Sequence, residues 1–87
     1  MAALKTKQRK TLALIFSRPV PGSLKWPDLV ALLLELGATM TEREGSRVAF
    51  FLFHQVQVMH RPHPGNDVDK GAVAAVRKWL ESNGVLP

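Results

Sequence analysis

"ATMTEREGSRVAFFLFHQVQVMH", residues 38–60, decides the fold. "ATMTE" is rich in β-prone residues, "REGS" reads as a turn, and "RVAFFLF" is a strand with adjacent phenylalanines, Phe50 and Phe51. A break near His54 and Gln55 leads into "VQVMH". Connections this short join antiparallel strands only, so the segment predicts a three-stranded meander. Its register stays open, because the second turn can hold two or three residues and a one-residue slip exchanges the faces. In either register apolar side chains fall on both faces of the middle strand. One face packs on helices; the other calls for the N-terminal segment or a partner to cover it.

The flanks change period. Before the meander, Leu29, Leu32, Leu33 and Leu36 repeat at helical spacing over residues about 27 to 36. Pro27 suits the first turn of that helix and Gly37 its end. Val30 and Leu34 widen the stripe, which leaves little of the helix for water. After the meander, Val73, Val76 and Leu80 form one stripe and Ala72, Ala75 and Trp79 a second, predicting a helix over about 70 to 82. Asp67 or Asp69 can cap its start, and Gly84 follows its end. Upstream, Leu12, Ile15 and Phe16 predict a short amphipathic helix over about 6 to 17, broken by "RPVPG". Trp26 and Trp79 sit at helix positions and read as core.

All three histidines lie between positions 54 and 63: His54, His60 and His63, the last two within "HRPHPG". A zinc site needs three or four placed ligands. The chain has no cysteine, His60 and His63 lack the usual helix-face pairing, and only Asp67 or Asp69 could add a carboxylate. No metal and no other cofactor is therefore expected. Acid–base chemistry suits imidazole better, since it changes protonation around neutral pH. A histidine at a strand end beside a basic surface could take the proton of a ribose 2′-hydroxyl. It could equally be a hydrogen-bonding residue of a polar exit loop. No nucleotide-binding glycine loop or Ser-His-Asp order is present.

The 87-residue chain has room for a single small domain. Its net charge is +5, and six of its twelve basic residues precede the first acid, Asp28. That imbalance points to an anionic partner such as nucleic acid, although basic solubilising tails are also common. No run approaches the length of a membrane span. "LALIF" is too short for a signal-peptide core, so the start is read as part of the mature chain; the cytoplasm is the expected compartment.

Four landmarks then occur in a familiar order: "LLLELGA" (32–38), "EGS" (44–46), "FHQVQVMHRPHP" (53–64) and "DVDKGAVAAVRKWLESNGV" (67–85). Across residues 24 to 86 the chain resembles the HicA-type toxins of bacterial and archaeal toxin–antitoxin modules. The landmarks are similar to that family's first helix and glycine, its Gly-Ser turn, its strand exit, and its last helix. The resemblance implies an α+β, double-stranded-RNA-binding-like α-β-β-β-α fold with a three-stranded antiparallel sheet, here with an extra N-terminal helix. It also implies a metal-independent messenger-RNA endoribonuclease restrained by a HicB-type antitoxin. Such enzymes rely on a histidine just after the Gly-Ser turn. Here that position is Arg47, in "EGSRVAFF".

Arginine stays protonated, so it cannot act as a base, but its fork can grip a phosphate. Gly45 would let a ligand approach the backbone, and Ser46 could donate to a phosphate oxygen. The RNA-facing set is therefore Gly45, Ser46, Arg47, Arg61 and His63, with Lys70 nearby. Catalysis could have moved to His60 or His63; His60 is the catalytic candidate, since in one hairpin register it lies almost opposite Arg47. Residues 1–22 read as a basic helical extension and proline-rich linker, and 23–87 as the family domain. Two other readings stand beside a toxin-family RNA-binding nuclease. One is a catalytically inactive RNA-binding or protein-interaction module; the other is a protein whose basic helix only mediates oligomerisation.

Overall fold

A computed structural model describes residues 4–87. The elements run α1 (Thr6–Ile15), α2 (Trp26–Glu35), β1 (Thr39–Glu42), β2 (Arg47–Leu52), β3 (Gln55–His60) and α3 (Lys70–Ser82). The architecture is α+β, with one antiparallel sheet of order β1-β2-β3. No helix among the described residues is long and apolar enough to cross a membrane.

The open question of register is settled by the β2–β3 turn. Leu52 pairs with Gln55, so Phe53 and His54 alone form the loop. Both hold left-handed backbone, φ 57° and 58°, which is what a two-residue hairpin of matching twist requires. Asn-Gly is the usual sequence for such a turn, so "FH" gives no local signal of it. Packing holds it instead: the Phe53 ring stands edge-on to Trp79, with centroids 5.5 Å apart.

That register sorts the sheet into two faces. Val48, Phe50, Leu52 and Met59 point to the helices and are buried there with Leu24, Trp26, Leu29, Leu32, Leu33, Val73, Val76 and Leu80. At the sheet edge Trp79 Nε1 donates to Gln55 Oε1 at 2.7 Å, which satisfies a buried indole N–H. Helix α2 starts one residue before Pro27, at Trp26, whose ring lies 6.0 Å from that of Phe50. Its end needs Gly37, at φ 106°, where an L-residue would be strained.

Helix α1 joins the same core. Leu12 and Ile15 are buried in it and Phe16 packs against it, beyond the helix end at Ile15. Its basic residues Lys5, Lys7, Arg9 and Lys10 stay exposed. The helix packs on α2 and α3, and so it does not cover the second face of the sheet. The expectation that it could is corrected: its apolar stripe is two or three side chains wide, and α2 and α3 take all of it.

Past β3 the chain folds back on the start of α2. Trp26 N donates to Asn66 O and Val68 N to Leu24 O, at 2.7 and 2.8 Å. Of the two candidate caps, Asp69 is the one used, its carboxylate accepting from Ala72 N at 3.2 Å; Asp67 pairs with Lys25 instead. Asp69→Ala should cost about 1 kcal/mol. A thermal melt should register it as a drop of roughly 4–8 °C.

Candidate RNA-binding surface

The β1–β2 loop carries the first candidate residues. Arg43 N donates to Arg47 O at 2.9 Å, closing residues 43–46 into a tight loop. Gly45 turns the chain at φ 68°, and nothing lies within 4 Å of where its side chain would be. The loop therefore offers open backbone to a ligand. Beside it, Arg61 N donates to Ser46 O at 2.7 Å, which ties the loop to the exit of β3.

Sheet pairing places Arg47 directly opposite His60. The Ser46 hydroxyl lies 3.3 Å from His60 Nδ1, a hydrogen bond whose direction depends on the imidazole tautomer. Ser46, Arg47 and His60 thus share one end of the sheet, all exposed. Arg47 Nε donates to Glu44 O at 3.3 Å, and among the described residues no carboxylate pairs with it. Its remaining donors are available to an anion.

The other candidates fare differently. Arg61 is joined to the cluster through its backbone, but its guanidinium binds Glu42 at 2.6 Å, which offsets its charge. No local sequence signal marks that pairing, since Glu42 and Arg61 meet only once both hairpins have formed. Lys70 lies over Gly22, where an added methyl would stand 3.1 Å from its Cε. No hydrogen bond or ion pair among the described residues links Lys70 or His63 to Ser46, Arg47 or His60.

His54, in the turn before β3, and His60, the last residue of that strand, are separated by the whole length of β3, roughly 20 Å at the rise of a strand. No three His, Cys, Asp or Glu side chains among the described residues form a group that could hold a metal ion. A cleft of about 660 Å³ opens elsewhere, between Leu12, Leu36 and Val85, and holds none of the candidate residues. The cluster is a surface, which suits a polymer better than a small enclosed substrate.

The face that carries the cluster is the one the helices leave open. Phe51, Val56 and Val58 are 49%, 56% and 47% exposed there. Their exposure was foreseeable only as apolar residues on both faces, since the register decides which of the adjacent phenylalanines is outside.

A family model described as the HicA toxin of bacterial toxin–antitoxin systems matches residues 26–84, which run from the start of α2 to just past α3. No curated protein and no solved structure matches the chain. With two thirds of its length covered by that match and the element order the resemblance implied, the chain belongs to the HicA toxin family.

Proposed function

We propose that this toxin-family chain binds messenger RNA at the Ser46–Arg47–His60 cluster and cleaves it there without a metal. The observation that carries this is the 3.3 Å contact between Ser46 Oγ and His60 Nδ1, beside an arginine with no carboxylate partner among the described residues. Arg47 grips a phosphate with its free fork, and Ser46 donates to a phosphate oxygen. His60 accepts the proton of the neighbouring 2′-hydroxyl. That oxygen then bonds to phosphorus, the P–O5′ bond breaks, and the departing oxygen takes a proton from solvent. The products are a 2′,3′-cyclic phosphate and a 5′-hydroxyl.

The base thus stands on the third strand, across the sheet from the position where the family carries its histidine. A second reading, binding without cleavage, is favoured by Arg47 itself, which holds phosphate but accepts no proton. In both readings the restraining partner is a HicB-type antitoxin and the compartment is the cytoplasm. A gene for such an antitoxin beside this one would support the pairing.

RNA binding is tested by titrating a short single-stranded RNA at several salt concentrations. Arg47→Ala should weaken binding by about 1–3 kcal/mol. It should also flatten the salt dependence by about one phosphate contact. Unchanged affinity and slope would remove Arg47 from the interface.

A further inference from the structure

Beyond the cluster, the open face of the sheet is ordered in rows. Cross-strand pairing sets Arg47 beside His60, then Thr41, Ala49 and Val58 in line, then Thr39, Phe51 and Val56. Phe51 stands on the central strand, half exposed, with the His54 ring edge-on to it at a centroid distance of 6.4 Å. Ala49, between Arg47 and Phe51, is small and keeps the middle row shallow. No residue of these rows is acidic; Glu42 falls on the helix side, paired with Arg61. The face therefore has an aromatic plate at one end, a cation and an imidazole at the other, and no carboxylate within its three rows.

We infer that this face is a stacking platform for single-stranded RNA, with one base lying on the Phe51 ring while a phosphate nearby on the same strand is held by Arg47. The inference rests on the proposed RNA function and names where and in what form the RNA binds. Arg47 and Phe51 are four residues apart on one face, about 13 Å at the rise of a strand, a span that a few nucleotides of extended chain cover. An unpaired base can swing onto an aromatic ring, whereas the bases of a duplex are stacked inside it and cannot reach one. The substrate is accordingly single-stranded, and it lies on the sheet, not on the helices.

The experiment titrates the full chain with single-stranded oligouridylate and with an RNA duplex of equal length. Wild type should prefer the single strand. Phe51→Ala should weaken single-strand binding by about 5- to 150-fold, the range for loss of one stacked base, with the salt slope unchanged. Phe51→Leu should lose nearly as much, because leucine keeps the apolar area but has no π-face. Phe51→Trp should bind at least as tightly as wild type, its added fluorescence quenched by the RNA. Circular dichroism melts verify that each variant is folded, and the tryptophan variant reports even if the smaller ones are destabilised. If the Phe51 variants bind as wild type while Arg47→Ala is weakened, the platform is wrong and the RNA function stands. If wild type binds no RNA, both fall. Leucine binding as well as phenylalanine, or Phe51→Ala losing affinity for a protein antitoxin but not for RNA, would make the face a protein interface and overturn the inference.

Discussion

RNA cleavage should fall by roughly 10²- to 10⁴-fold in His60→Ala, the usual contribution of a positioned base. RNA affinity should change far less than in Arg47→Ala, because the phosphate grip remains. The distinction is measurable by following cleavage of a labelled single-stranded RNA at saturating protein. The reciprocal variant, Arg47→His, places an imidazole at the position used by the family, beside Ser46 and across from His60. Its cleavage rate should exceed that of wild type, and so should its toxicity on expression in a bacterium. A base must be unprotonated to accept a proton, so the gain should be present near neutral pH and lost as pH falls and imidazole protonates. Wild type that binds RNA but leaves it intact, together with a cutting Arg47→His, would establish the binding-only reading. An Arg47→His chain that neither binds nor cuts would transfer the family role to protein interaction.

Stability should respond most to Phe50. Its side chain is fully buried against Trp26 and the leucines of α2. Phe50→Ala removes apolar contacts and leaves a cavity where sheet meets helices, at a cost of about 3–5 kcal/mol. For a domain whose whole stability is about 5–15 kcal/mol, that removes between a fifth and nearly all of it, and at the lower end unfolds a large share of molecules. Urea denaturation should show the midpoint collapse. The adjacent Phe51→Ala should cost far less, about 1 kcal/mol, because its half-exposed ring gives up only cross-strand contacts on the sheet surface. If the two variants were equally destabilised, the assignment of faces would be wrong, and the RNA platform with it.

Much of this protein is written in local pattern. Leucines at helical spacing between Pro27 and Gly37, the β-prone run from Ala38 to His60, and the Val73–Val76–Leu80 stripe suffice for the order of elements. Those signals are local because they follow from the 3.6-residue and two-residue periods of helix and strand. The Gly45–Ser46 turn and the arginine after it could also be read directly.

Which residues meet could not be read in the same way. The two-residue Phe53–His54 turn carries no local mark, being held by Phe53 against Trp79. Yet it sets the register that opposes Arg47 to His60, buries Phe50 and exposes Phe51. Side chains alternate along a strand, so one residue more in that turn would exchange every face of β3 relative to β2. Likewise Arg61 looked as free as Arg47 until the pairing of three strands set it against Glu42, and Lys70 is drawn over Gly22 by the return of residues 66–68 to α2. Element type follows from neighbours in sequence; the composition of the site follows from contacts between residues far apart in the chain, and those only the packed core selects.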